Sequence, residues 1–428
     1  MPAGAQAEWK PLRSVLVHEP GIEVFFALLS PRSHLYERFF ERGEAVREHR
    51  ELCETLMRGY GVRVHRLREV LESSAKDDPR LQSDLVALAE RRLSRRCEGD
   101  ACALPPRIRR ELEDPVPLTE ADTGHLLDII LLDPTLVLDP AGVYTEIRRP
   151  MCNLYFMRDQ QAATDLGIVQ GRMQSAVRQA EIELCGLALD VLGTDPVHRV
   201  IDGHFEGGDF IPAGDFALIG VGPRTDMAGA MELLAQALSF EEVAIVRQPC
   251  HPLVRGYDPM VSMHLDTYLN FASECVAVAN PVLLRAAGVD IFHCRTGGYE
   301  KADMGTTLDR YLEEKGFEVV EITTLEQLCY ATNFLCVKNG VCLAPDTHRI
   351  APLVIERLRE RVAREPGRYD RLLDQAAHDL AELRAEAEFF PHKKEIYSHG
   401  LEMVPLRLTN ATGGYGGAHC MTCTIGRY

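Results

Sequence analysis

The chain has 428 residues, 46% hydrophobic and 26% charged, enough to bury the core of one large domain or two ordinary ones. Its 64 acidic residues outweigh 47 basic ones, giving a net charge of -17 with no dense lysine or arginine run, which argues against a nucleic-acid partner. No stretch approaches the roughly 18 uninterrupted apolar residues of a membrane span, MPAGAQAEWKPLRSVLVHEP lacks a signal-peptide pattern, and the 13 cysteines fall irregularly inside apolar segments such as FLCVKNGVCLAP, so a soluble cytoplasmic protein with reduced thiols is expected.

In chain order, residues 12–18 open as a strand. A long, mostly helical region follows, in which Val46, Cys53, Leu56, Met57 and Tyr60 recur at three-to-four-residue spacing. VRVHRL, at 62–67, interrupts it as a short strand, and CEGDACALPPRIRRELED reads as loop from its clustered charge and paired prolines. This predicts a helical module over 33–113 inserted into a catalytic domain formed by 1–32 and 114–428.

Five later stretches share one texture: DIILLDPTLVLDPAGVYTEI, NLYFMRDQQAATDLGIVQG, DFIPAGDFALIGVGPRT, LDTYLNFASECVAVANP and NFLCVKNGVCLAP. Each is two apolar runs a turn apart, the pattern of a hairpin, and Asn339-Gly340 in the last suits a type I′ turn. Amphipathic helices follow several of them, with Met227, Met231, Leu234, Ala235 and Leu238 on one predicted face and Ile350, Val354, Ile355, Leu358 and Val362 on another. Strands such as VAIVRQ or FEVVEIT come next. A hairpin, helix and strand used about five times predicts a radially repeated α/β architecture, because one such unit cannot bury both faces of its sheet. A doubly wound parallel sheet is the plainer alternative, and the hairpins argue against it.

Polar residues interrupt this pattern at the unit ends, in NLYFMRD, HFEGGD, MHLDT, the isolated Arg178 and Arg224, and the terminal GGAHC. Period-two alternation would put His264 and Asp266 on one face of a strand, and EGGD sets Glu206 and Asp209 in a glycine turn. Taken singly, each has a simpler reading: a strand-end pair, a plain turn, an Asp159–Arg158 surface pair, one more core thiol at Cys420. Together, a cysteine, a histidine and several carboxylates are what nucleophilic attack on a cationic carbon needs. Carboxylates hold the cation, the thiolate attacks, and the histidine handles protons. Cys420 and Cys423 form a CxxC that could be half a zinc site, but Cys97 and Cys102 are spaced differently, and His264, Asp266 and Glu206 lack the further histidines of a metal centre.

NLYFMRD, FEGGD, MHLDT and GGAHCM, in this order, resemble the arginine deiminases of the guanidine-modifying superfamily, whose fold is a five-bladed α/β-propeller. The resemblance begins at LRSVLVHEPG and includes a helical insertion with REHRELCETLMRGYGVRVHRL. It implies hydrolysis of L-arginine to L-citrulline and ammonia through a covalent cysteine thiouronium. Cys420 would be the nucleophile; His264 would protonate departing ammonia and then activate water, with Glu206 orienting or charging it. Asp159 and Asp266 would grip the guanidinium nitrogens. Asn153, Arg178 and Arg224 would hold the amino-acid end, the two arginines suiting an α-carboxylate, and Phe156 would pack on the aliphatic stem. No metal or organic cofactor is implied; the partner is a small guanidino substrate, and a homo-oligomer is compatible with the sequence. Two departures stand out: Tyr415 occupies the glycine-loop position where the family usually has arginine, and TCTIGRY follows Cys420 in place of the usual methionine and proline. They keep open a deiminase or amidinotransferase for another guanidino compound or modified arginine, and a non-catalytic arginine-binding protein.

Overall fold

A computed structural model describes residues 3–100, 103–256, 258, 261–302 and 305–428; Cys102 lies outside them. Among the described residues one arrangement recurs five times. Two antiparallel strands form a pair, the chain crosses through helix, and a third strand returns parallel to the second. The first unit is Gln161–Ala163, Ile168–Gln170 and His198–Arg199, crossed by the helix Gln179–Val191. The second is Phe210–Ala213, Phe216–Val221 and Glu242–Arg247, crossed by Met227–Gln236. The third is Leu269–Phe271, Val276–Ala279 and Glu318–Glu321, and its crossover sends Gly288–Arg295 out to extend the second unit's sheet. The fourth is Leu335–Lys338, Val341–Pro345 and Glu402–Leu406, crossed by the long helices Thr347–Arg364 and Asp370–Glu386.

The fifth unit joins the two ends of the chain. Cys423–Arg427 pairs antiparallel with Leu12–Val17, and Leu12–Val17 pairs parallel with Arg63–Arg66. Local pattern could not reveal this, since pairing partners such as Leu16 and Cys423 lie at opposite ends of the sequence.

Four expectations are corrected. DIILLDPTLVLDPAGVYTEI begins as the helix Thr123–Leu132, and its hairpin Pro134–Asp139/Gly142–Ile147 joins Ser94–Cys97 in a separate three-stranded sheet. A buried helix and a buried strand present the same apolar run, which explains the misreading. The expected 33–113 boundaries cut across strand pairing: Arg63–Arg66 completes the fifth unit, while Ser94–Cys97 pairs with Pro134–Asp139 beyond the expected end. Met227 and Met231 are each 41% exposed, and the buried face of their helix is Gly229, Ala230, Leu233 and Leu234. Gly229 is bare there because a Cβ would lie 2.2 Å from the His204 carbonyl oxygen. Of the Asn339-Gly340 pair only Gly340 takes positive φ, at 76°, so the hairpin is not closed by a type I′ turn, and a bulge at Cys336/Lys338 takes up the register. The Thr347–Arg364 helix buries Ile350, Val354, Ile355 and Leu358 as the spacing predicts.

Candidate active site

Each unit is entered through a short polar turn directly before its first strand, and these turns converge. Asn153 to Gln160 precede the first unit, the 3-10 turn Gly207–Asp209 the second, the 3-10 turn Leu265–Thr267 the third, Thr332 and Asn333 the fourth, and His419 and Cys420 the fifth. Asn153, Phe156, Asp159, Arg178, Arg224, His264 and Cys420 line one cavity of about 530 Å³. Glu206 and Asp266 stand behind it, bonded to His264 and Cys420. All nine expected site residues are thus brought together. The MHLDT residues reach the site from a tight turn, however, and not from alternation along a strand.

Gly208 shows why the second turn carries glycine: a Cβ there would lie 2.9 Å from His264 Cγ and Nδ1. The imidazole packs directly on the turn backbone. His264 Nε2 donates to Glu206 Oε2 at 2.9 Å, and its Nδ1 lies 3.8 Å from Asp159 Oδ1. Burial disfavours the imidazolium, but Asp159, Asp209 and the Glu206 hydrogen bond outweigh it and hold His264 up at about 10. Burial also works against the Glu206 carboxylate, yet the His264 hydrogen bond and charge bring it down to about 2. His264 is therefore a cation near neutrality. Asp209, wholly buried, is pushed up to about 7 by burial and accepts from Leu265 N at 3.0 Å, fixing the turn that carries His264.

The nucleophile's surroundings include residues that the sequence reading did not assign. Asn333 Nδ2 donates to Cys420 Sγ at 3.1 Å, while its Oδ1 accepts from Gly417 N at 2.8 Å and Cys420 N at 3.0 Å. The Cys420 thiol points at Asp266 Oδ2, 3.6 Å away, and the same oxygen accepts from His419 Nδ1 at 2.8 Å. Behind His419 sits Glu8, wholly inside the protein, 3.3 Å from His419 Nε2 and 2.8 Å from Arg427 Nη2. Burial alone would raise Glu8, but Arg427 and Arg158 hold it well below the usual carboxylate range. Arg158 therefore pairs with Glu8, at 3.4 Å, and not with Asp159 as the surface-pair reading would have it. Burial, then the charges of Asp266 and Asp159, push the Cys420 thiol well above its ordinary value against the pull of Asn333.

Two carboxylate oxygens, Asp159 Oδ1 and Asp266 Oδ1, are buried without a hydrogen-bond partner. An unsatisfied buried carboxylate oxygen is costly, and a cation beside both would relieve it. It would also offset the Asp266 and Asp159 charges that, after burial, raise the neighbouring thiol.

The same cavity is also lined by Arg178, Arg224, Asn153 and, from the glycine loop, Gly414 and Tyr415. A Cβ on Gly416 would lie 2.3 Å from Phe156 Cε1, so the loop must be bare for the Phe156 ring to sit beneath it. Tyr415 takes φ 70°, unusual for a non-glycine residue, and its hydroxyl bonds Glu37 and accepts from Arg361 Nη2 at 2.8 Å. Arg357 and Arg361 lie over its ring at 5.7 and 6.0 Å. Cys423, the other half of the CxxC, is a buried strand residue in a separate core cluster from Cys420.

Among the described residues Asp159, Glu206 and His264 place ligand-type atoms within 4.8 Å of one another. A metal there would have to compete with the proton through which His264 Nε2 bonds Glu206 at 2.9 Å.

The arginine deiminase family model matches residues 33–427. The arginine deiminase of Halobacterium salinarum is 26% identical over 99% of this chain and 96% of its own length, and that of Rhodococcus opacus is 24% identical over 100% and 98%. Among solved structures, a mutant DDAH from Pseudomonas aeruginosa complexed with citrulline is 14% identical with a TM-score of 0.50, covering 98% of this chain and 100% of that one. An AgrE mutant in binary complex with L-arginine is 12% identical with a TM-score of 0.51, covering 97% of this chain and 40% of that one. These two structures share the mixed α/β fold of this chain. The chain belongs to the arginine deiminase family and is a guanidine-modifying hydrolase.

Proposed function

We propose that the protein hydrolyses L-arginine to L-citrulline and ammonia on a five-bladed α/β-propeller whose axis is the cavity. The observation that carries this is the pair of buried carboxylates, Asp159 and Asp266, each with one oxygen that has no hydrogen-bond partner, the second of them 3.6 Å from the Cys420 thiol through its other oxygen. Asp159 and Asp266 bind the guanidinium from two sides and fix its carbon against Sγ. Neutralising those carboxylates lets the thiol ionise when substrate is present, its proton passing to solvent, and the thiolate adds to the guanidinium carbon. His264, charged at rest, gives its proton to the departing nitrogen, so ammonia leaves and an S-alkylthiouronium remains on Cys420. Neutral His264 then takes a proton from water, hydroxide adds to the same carbon, and the C–S bond breaks to return the thiol and release citrulline. Asn153, Arg178 and Arg224 bind the amino-acid end, and Phe156 packs on the aliphatic chain. The relatives' name, arginine deiminase, and the structural neighbours' complexes with citrulline and L-arginine support this reading.

The test is incubation with L-arginine and separate assay of citrulline and ammonia, which should form in equal amounts. Cys420→Ala should abolish both by at least about ten-thousandfold. Turnover surviving in that variant would sink the mechanism. Tyr415 favours one second reading, a different or modified guanidino substrate, since it puts a phenol where the family usually has an arginine. Turnover of another guanidino compound but not of free arginine would select it.

A further inference from the structure

Arg178 is already fully engaged. Its Nη1 donates to Asp159 Oδ2 at 2.8 Å, its Nε to Glu181 Oε1 and Oε2 at 3.1 and 3.0 Å, and its Nη2 to the Asn153 carbonyl at 3.4 Å. Arg178, Asp159 and Glu181 are all buried. The group resting on Asp159 is thus a guanidinium, chemically the same group that an arginine substrate presents. It holds one of the two carboxylate oxygens that a bidentate grip requires and leaves only Oδ1, 3.8 Å from His264 Nδ1, without a hydrogen bond. Arg178 also lines the same cavity as Arg224 and Asn153, where the amino-acid end of a substrate is expected.

We propose that Arg178 is an exchange gate that makes the site specific for ligands carrying both a guanidinium and a carboxylate. It rests on half of Asp159 until a substrate carboxylate draws it away, and only then does the Asp159 grip on the substrate guanidinium close. The inference rests on the reading of this cavity as an arginine guanidino site. Its physical basis is that buried ion pairs are exchanged and not lost. The substrate guanidinium replaces Arg178 on Asp159, while the substrate carboxylate replaces Asp159 on Arg178, so no charge is left unpaired. A guanidino cation without a carboxylate can make only the first exchange, and it leaves Arg178 with fewer partners than before. Breaking a buried pair from one side is the costly move, and a site open only a fraction of the time binds more weakly by that fraction.

The decisive probe is agmatine, which is arginine without its carboxylate, measured by calorimetry against the turnover-silent Cys420→Ser protein. Ordinary loss of a carboxylate receptor cannot affect agmatine. Removing the gate, with Arg178→Gln added, should tighten agmatine about tenfold while weakening L-arginine. Arg224→Gln removes a positive charge from the same cavity, whereas the ion-pair partners of Asp159 are Arg178 and His264. It should weaken L-arginine and leave agmatine within about twofold. If Arg178→Gln unfolds because Glu181 is left unpaired, the double change Arg178→Gln/Glu181→Gln removes both charges and should show the same gain. Unchanged agmatine affinity, or an equal gain in the Arg224 variant, overturns the gate while L-arginine binding to the parent upholds the substrate reading. No binding of L-arginine by the parent overturns both.

Discussion

The two ends of the cavity are built differently. At the thiol end every group is held by at least one other: Cys420 by Asn333, Asp266 by His419, His264 by Glu206, and Glu8 beneath them by Arg158 and Arg427. These groups are almost wholly buried, and all but Glu8 and Arg427 come from turns directly before the first strand of a unit. At the amino-acid end, Arg224 and Tyr415 are partly exposed, and Tyr415 sits at positive φ in a loop latched through Glu37 and Arg361. The lesson is that chemistry is placed where the repeated fold is stiff, and selection of the substrate where side chains can exchange partners.

Substitutions at the stiff end should therefore act on kcat and those at the other end on KM. The largest effect in this set is expected from Asp266→Asn, which removes a charge from the guanidinium grip and half of the His419 interaction. A kcat loss of about a thousandfold is expected by steady-state kinetics, and a change confined to KM would break the comparison. Asn333→Ala removes the donor to Sγ and both loop contacts, so kcat should fall by about 10- to 100-fold. Thiol alkylation should show a higher Cys420 pKa, because the Asn333 hydrogen bond lowers it.

Glu206→Gln sharpens the electrostatic side of the same claim. His264 stands at about 10, above its ordinary 6.5, so its contribution to stability is complete below about pH 6.5 and is lost as pH rises through about 10. Removing the Glu206 charge should lower the His264 titration seen by NMR and flatten the loss of stability between those limits. An unmoved titration would mean that Asp159 and Asp209 suffice. Smallest of all, Tyr415→Phe cuts the latch to Glu37 and Arg361 and should raise KM a few-fold at constant kcat, with about 1 kcal/mol of stability lost.

Much of the thiol end was legible because its polar residues break strongly apolar patterns, as Asp159, Glu206, His264, Asp266 and Cys420 do. Asn333 obeys the same rule. It stands just before the apolar run of NFLCVKNGVCLAP, where each other unit presents its functional turn, and the repeat could have found it. His419 was in view beside the cysteine but had no partner to give it a role. Glu8 carried no local signal, because Arg158, His419 and Arg427 lie far along the chain. Arg178 was legible as a lone cation, but nothing in the sequence could show it resting on Asp159. The fifth unit was hidden for the same reason as Glu8, since its first two strands come from opposite termini. Periodicity reports what neighbours in sequence do; closing a ring brings together residues that are not neighbours.

The central claim is that Cys420 attacks a guanidinium carbon held by Asp159 and Asp266. Acid-quenching the protein during turnover of L-arginine and mapping peptides by mass spectrometry tests it most directly. The account predicts a transient adduct on the Cys420 peptide, with the mass of arginine less ammonia, that appears before citrulline and decays as it forms. Full-rate citrulline production with Cys420 never modified would contradict it.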